Sequence, residues 1–275
     1  MGRAENIAIF EDTERLVKTN ERLRTSVQQS TKNQKLILET DKFEKPDLER
    51  YPFETEIIVS KKRTYEAAKA YKGLKTVVHN FASASNPGGG VVNGANAQEE
   101  CLCRCSGLYF NLNTQSMWDG FYRPHRAAQD PIHNDDIIFT PGVTVFKTDT
   151  ANPVLMEERD WYDVDVITCA APDLRPKNMQ NRGGGKKRAV NEKELFAIHE
   201  KRLRRILDVA VMQEEQVVIL GAFGCGAFQN SPNVVARAAQ AVLEEYTSAF
   251  RVIEFAVYCA PLDDLNYRTF QRYFR

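Results

Sequence analysis

Apolar residues recur at a helical rhythm near the N-terminus. Ile9, Leu16, Leu23 and Val27 stand between charged positions and predict a helix over 5–29. Lys35–Glu39 (KLILE) and Glu56–Ser60 (EIIVS) read as short strands, and the polar, proline-containing stretch between them as loop. A helix is expected over Arg63–Tyr71. The β-branched run Thr76–Asn80 (TVVHN) then leads into FASASNPGGGVVNGA, a strand entering a glycine-rich loop. A helix over Asn96–Tyr109 follows, then further helical structure over 113–128, where Trp118, Phe121 and Tyr122 fall close together. Asp136–Thr140 and Val143–Lys147 predict two strands around a Pro141-Gly142 turn, and Val164–Ala170 a buried strand. Asn191 with Glu194 resembles a capping box and opens a helix to about Met212. Gln216–Leu220 is a strand running into a second glycine-rich loop, GAFGCGAFQN, at 221–230. Ser231-Pro232 suits the N-cap and first position of a helix to about Tyr246. Val252–Cys259 is the last strand and Asp263–Tyr273 the last helix.

Strands alternate with helices through most of the chain. That order argues a three-layer α/β sandwich, with helices on both faces of a mostly parallel sheet. In such sheets ligands sit beyond the C-terminal ends of the strands, and both glycine loops fall there. Each follows a strand and precedes a helix. Glycine lets backbone approach a ligand, and unpaired amides at a helix start attract anions. Two such loops facing one crevice suit a diphosphate; a single one suits a tight turn equally well. Neither has the Lys-Ser/Thr ending of a P-loop or a full G-x-G-x-x-G fingerprint. A third run, Gly183–Gly185 among lysines, has no strand before it and is read as solvated surface.

Charge adds a constraint. Lys plus Arg and Asp plus Glu stand at 37 each, so no net field draws the protein to nucleic acid or anionic membrane. Any polyanion must be recognised by local geometry. At 275 residues the chain buries a core without staples. The six cysteines include no C-x-x-C pair, the N-terminus carries no apolar signal segment, and no run suits a membrane span. A reducing, cytoplasmic setting is the expectation. Cys101, Cys103 and Cys105 are expected as small buried thiols, since zinc favours other spacings. Cys225 has no evident base partner that would make it a nucleophile.

The chemistry-bearing pair is Glu99-Glu100. With Asn96 as N-cap, Glu99 falls at N3, where it reaches back to the Asn96 amide as a capping box. Glu100 in that frame is a solvated carboxylate favoured by the helix dipole. The functional alternative has one glutamate transferring a proton and the other orienting a sugar. Adjacent helical residues point about 100° apart, unlike the facing carboxylates of ordinary glycosidases. A helix N-terminus also lowers a carboxyl pKa, so a general acid here needs desolvation to prevail.

Gly88-Gly89-Gly90, a spacer of seven residues, and Gln98-Glu99-Glu100 together resemble the signature of poly(ADP-ribose) glycohydrolases. NFASASNPGGG before the glutamates, ECLCRCSGLY after them and GAFGCGAFQN later are similar to the bacterial branch of that family, from about Asn6 to the last helix. The resemblance implies a macrodomain-like α/β/α sandwich with a mixed central sheet, an N-terminal helical accessory segment over 1–50 and a catalytic domain over 51–275. It implies hydrolysis of poly(ADP-ribose) to ADP-ribose by a monomer, acting on ADP-ribosylated proteins, with no metal and no redox cofactor. Carried over by position, Glu100 is the acid/base and Glu99 holds the ribose beside it. Gln98, Gly88, Gly89 and Gly90 form the catalytic loop region against diphosphate and distal ribose. Gly224, Cys225, Gly226, Ala227 and Phe228 correspond to the diphosphate loop, with Phe228 packing on the ligand. Asn80 and Asn86 are candidates for ribose contacts. The adenine site is matched by no motif. A non-catalytic reader of ADP-ribose ends and a hydrolase of mono-ADP-ribosyl groups are the competing readings. Trp118, Phe121 and Tyr122 suit either base stacking or core packing, and core packing is the expectation.

Overall fold

The computed structural model describes residues 2–176, 189–260 and 262–275. The Gly183–Gly185 run lies outside the described residues. The elements are α1 (Arg3–Thr19), α2 (Glu21–Asn33), β1 (Lys35–Ile37), β2 (Glu56–Ser60), α3 (Thr64–Lys69), β3 (Thr76–Ala82), α4 (Gln98–Cys105) and α5 (Leu108–Leu112). Then follow α6 (Gln115–Met117), a π-helical turn over Trp118–Tyr122, α7 (Arg123–Ala128), β4 (Ile137–Val145), β5 (Tyr162–Ala170) and α8 (Glu192–Met212). β6 (Val217–Leu220), α9 (Pro232–Leu243), β7 (Val252–Ala256) and α10 (Leu265–Tyr273) complete the chain.

The strands form one seven-stranded sheet in the order β1-β4-β5-β3-β6-β7-β2. The five from β5 to β2 run parallel, while β4 and β1 are antiparallel additions at one edge. Successive strand residues face opposite sides, and that alternation builds the two cores. Val77, Ile167, Val218, Leu220, Ile253 and Phe255 pack under α8, α9 and α10. Val78, Val166, Val217, Ile219 and Val252 pack against Tyr65 of α3, Leu102 of α4 and Leu108 of α5. The expected α/β/α sandwich with a mixed sheet is therefore the fold.

Several boundaries differ from the sequence expectation for identifiable reasons. The expected helix 5–29 is two helices. Asn20 is extended and its side chain accepts from the Leu23 amide, which caps α2. α1 buries Asn6, Phe10, Thr13 and Val17 rather than the Ile9–Leu16 stripe. The strands expected at 136–140 and 143–147 are one strand with a bulge between Thr140 and Val143. Gly142 takes a positive φ there, donates to Asp165 and accepts from the Ser30 hydroxyl, so the Pro-Gly signal makes a bulge instead of a hairpin. Ser231 occupies the N-cap of α9, but its hydroxyl makes no cap bond.

The N-terminal helices belong to the same body. Thr13 donates to the Arg104 carbonyl at 2.6 Å, and the Asn6 side chain donates to the Gly94 carbonyl at 3.0 Å. β1 then joins the sheet edge against β4. No helix among the described residues is long and apolar enough to cross a membrane.

Candidate active site

The loops after β2, β3, β5, β6 and β7 emerge at one edge of the sheet and surround a cavity of about 1180 Å³. The β3 loop supplies Ser83, Asn86, Pro87, Gly89 and Gly90 to its wall, and α4 supplies Gln98, Glu99 and Glu100. The strand–loop–helix order of the sequence thus brings both glycine loops and the glutamate pair to one place.

The cap of α4 is shifted by one residue from expectation. Ala97 is the N-cap, and Glu100 sits at the third helical position. Glu100, not Glu99, reaches back to the N-cap, accepting from the Ala97 amide at 2.9 Å. Its other oxygen accepts from the Gly90 amide at 2.9 Å. Neither glutamate is a solvated surface carboxylate, with Glu99 3% and Glu100 7% exposed. Asn96 is unavailable as a cap because its side-chain oxygen accepts from Arg104 at 2.6 Å.

Glu99 lies deeper. It accepts from the Ser83 amide at 2.7 Å and from Asn80 Nδ2 at 3.2 Å. Burial, and then the neighbouring Glu100 carboxylate, push the Glu99 carboxyl up to about 8 against the pull of these donors. Near neutral pH Glu99 therefore holds a proton. At Glu99 desolvation and like charge prevail over the helix dipole. The two carboxyls converge beside Gly89. A Cβ placed on Gly89 would sit 2.5 Å from Glu100 Oε1 and 3.2 Å from Glu99 Oε2. Gly89 also has φ of 58°, a second reason for glycine at this point.

Gln98 is adjacent but differently engaged. Its amide donates to Thr64 Oγ1 at 3.1 Å and the His79 carbonyl at 2.8 Å, and its oxygen accepts from the Phe81 amide at 2.9 Å. It ties α4 to β3 and α3. Asn80 is fully buried, bonded to Glu99 and Thr168, and stands behind the glutamate instead of in the cavity wall. Gly88 faces inward, since an added Cβ would meet Tyr109 at 2.8 Å. Asn86 lines the cavity and accepts from Arg126.

The second loop lies across the cavity. Gly224 has φ of 76°, and an added Cβ would clash with Asn230 at 2.7 Å and Ala171 at 2.8 Å. Asn230 fixes the loop by donating to the carbonyls of Pro172 and Gly224 while bonding His199 through its oxygen. Among the described residues the amides of Gly224, Gly226, Ala227 and Phe228 donate to no protein acceptor. Gly224, Gly226, Ala227 and Phe228 all line the cavity. Such successive free N–H groups make an anion nest. Cys225 is the exception in the run. Its amide donates to the Ala222 carbonyl, and its side chain packs against the core under α8 and α9. Burial pushes that thiol up, which suits packing and not nucleophilic chemistry.

Other lining residues carry no motif. Arg175 lies over the Phe228 ring at 5.1 Å and pairs with Asp173. Arg63 lies over the exposed Tyr258 ring at 3.9 Å, with buried Asp149 at 3.9 Å from its guanidinium. Arg104 is 1% exposed and braces the spacer before α4 through the Ala95 carbonyl and Asn96. A basic residue four positions after Glu100 was the available sequence signal for Arg104. Cys101, Cys103 and Cys105 are buried free thiols, as expected. Phe121 and Tyr122 are core, whereas Trp118 is half-buried in the cavity wall.

The sequence profile of the microbial-type PARG catalytic domain matches residues 4–148. Among solved structures, a poly(ADP-ribose) glycohydrolase from Thermomonospora curvata is 28% identical with a TM-score of 0.81, covering 98% of this chain and 99% of that one. The same enzyme bound to the inhibitor ADP-HPD is 30% identical with a TM-score of 0.78, over 97% and 98% of the two chains. A poly(ADP-ribose) glycohydrolase from Deinococcus radiodurans in complex with ADP-ribose is 29% identical with a TM-score of 0.73, over 90% and 96%. A sequence comparison with curated proteins gave no match.

Proposed function

The chain belongs to the microbial-type poly(ADP-ribose) glycohydrolases, and on that premise we propose that Glu100 is the acid/base with which it hydrolyses the ribose–ribose bonds of the polymer to release ADP-ribose. The observation that carries this assignment is the Glu99–Glu100 pair, both carboxyls buried in the wall of a cavity whose opposite side offers free amides.

In this reading the amides of Gly224, Gly226, Ala227 and Phe228 receive the diphosphate, and Phe228 packs on the ligand. The distal ribose then lies against Gly89 and Gly90, where Glu100 reaches its anomeric bond. Glu100 in its acid form gives its proton to the leaving 2′-oxygen as the C–O bond breaks. The oxocarbenium-like sugar is stabilised by the diphosphate charge beside it. Glu100, now carboxylate, takes a proton from water as the water oxygen bonds to the anomeric carbon. That returns the acid form and balances the reaction. Glu99 holds the ribose beside it. Gln98 and Asn80 act as positioning residues: Gln98 fixes α4, and Asn80 fixes Glu99. In this reading the acting unit is a monomer. Six free thiols favour the reducing cytoplasm as its setting.

Product analysis on automodified polymer tests the activity. Free ADP-ribose released down to a protein-linked stub is the expected result. Binding without release would mean a reader, and removal of the last protein-linked unit would mean a mono-ADP-ribosyl hydrolase.

A further inference from the structure

Hydrolysis of a ribose–ribose bond leaves a question that the ADP-ribose cradle does not answer: what holds the unit on the other side of the cut. This inference rests on the glycohydrolase reading. The leaving oxygen is the 2′-oxygen of the next unit's adenosine. The first planar group beyond the scissile bond is therefore an adenine, and the first charged group beyond it a diphosphate. A subsite for that unit calls for an exposed aromatic face with a cation beside it, adjoining the catalytic loop.

The cavity has such a wall. Its volume of about 1180 Å³ exceeds the roughly 300–1,000 Å³ of a single-ligand site. The lining includes Asn86 and Pro87 and also Tyr109, Asn113 and Trp118. Trp118 is the one member of its aromatic group turned to the cavity, since Phe121 and Tyr122 are fully buried. Its ring is held by three neighbours. The indole N–H donates to Asn113 Oδ1 at 2.8 Å, the Arg126 guanidinium lies over one face at 4.6 Å from the centroid, and the tilted Tyr122 ring stands 5.5 Å away. Arg126 is locked to the catalytic loop, donating to the Ser85 carbonyl and to Asn86 Oδ1. The platform and the loop that carries Gly89 thus form one connected unit. The backbone under Trp118 is a π-helical turn, a rare conformation frequent at functional sites.

We propose that Trp118 and Arg126 form a subsite for the adenosine diphosphate portion of the neighbouring polymer unit, with the adenine stacked on Trp118 and the diphosphate drawn to Arg126. Stacking there orients the 2′-oxygen for protonation and keeps the shortened chain engaged after each cut.

The test uses full-length Glu100→Gln protein with two ligands, ADP-ribose and the two-unit oligomer. The oligomer should bind about 5- to 150-fold tighter, the range expected for one stacked base. Trp118→Ala should erase that gap while leaving ADP-ribose affinity unchanged, and Trp118→Phe should keep part of it. In protein with Glu100 intact, Trp118→Ala should raise KM for polymer far more than it lowers kcat. Equal affinity of the two ligands in the parent, or a gap that survives Trp118→Ala, overturns the subsite while ADP-ribose binding still supports the glycohydrolase reading. Failure of ADP-ribose itself to bind would remove that reading, and the subsite with it.

Discussion

Gly89→Ala probes the convergence of the two carboxyls without touching either. The new methyl carbon would lie 2.5 Å from Glu100 Oε1, 3.2 Å from its Cδ and 3.2 Å from Glu99 Oε2. Both glutamates are anchored, Glu100 by two amides at 2.9 Å and Glu99 by the Ser83 amide at 2.7 Å. The carboxylate can yield only by giving up a charge-assisted hydrogen bond, which costs about 1.5–3 kcal/mol. Alanine at a φ of 58° adds about 1–2 kcal/mol. A destabilisation of about 2.5–5 kcal/mol follows if the loop holds its place. If the loop retreats instead, the displacement is of order an ångström, and misplacement on that scale costs about 10²-fold in rate. The assay is ADP-ribose release from polymer under kcat/KM conditions, with urea unfolding of the same preparation. A variant within about threefold of the parent in rate and with unchanged stability would refute the claim that the carboxyls meet at this glycine.

Glu99→Gln removes the carboxyl that burial raises to about 8, so any inflection of the pH–rate profile near pH 8 should disappear. An inflection that persists near pH 8 would assign it to another group. Arg104→Met leaves the Ala95 carbonyl and Asn96 oxygen without their donor and should cost about 2–4 kcal/mol of stability by urea unfolding. A cost near zero would mean that the spacer is braced elsewhere. Glu215 is 0% exposed, and burial together with nearby Asp165 raises its carboxyl to about 10. The folded protein keeps this proton where the unfolded chain has lost it. Stability should therefore fall as pH rises from about 4.5 towards about 10, by up to about 1.4 kcal/mol per unit. Glu215→Gln should flatten that slope, which unfolding at about pH 6 and about pH 9 measures; an unchanged slope would assign the proton to another group.

The parallel strands were legible because each is a β-branched run ending in a loop signal. TVVHN and QVVIL announced β3 and β6, and with them the two loops that frame the cavity. The glutamate pair was legible too, but its cap register was not. Asn96 is a strong cap residue by type, and only the fold shows Arg104 occupying its side chain, which hands the N-cap to Ala97. The same limit applies to α1. Its buried face includes Asn6 and Thr13, which a count of apolar positions passes over because their partners lie about ninety residues away at Gly94 and Arg104. Gln98, Asn80 and Cys225, candidates for ligand contact, also make scaffold contacts to Thr64, Glu99 and the core, which depend on side-chain direction. Arg63, Tyr258, Arg175 and Trp118 come from separate loops with no shared spacing, so only the folded sheet edge gathers them.

Glu100→Gln, assayed in parallel for polymer hydrolysis and for ADP-ribose binding by calorimetry, bears most directly on the assignment of the acid/base. The predicted result is a fall in turnover of about 10²–10⁴-fold with ADP-ribose affinity within about threefold of the parent. Substantial turnover by this variant, or loss of ADP-ribose binding along with activity, would contradict a proton-transfer role for Glu100.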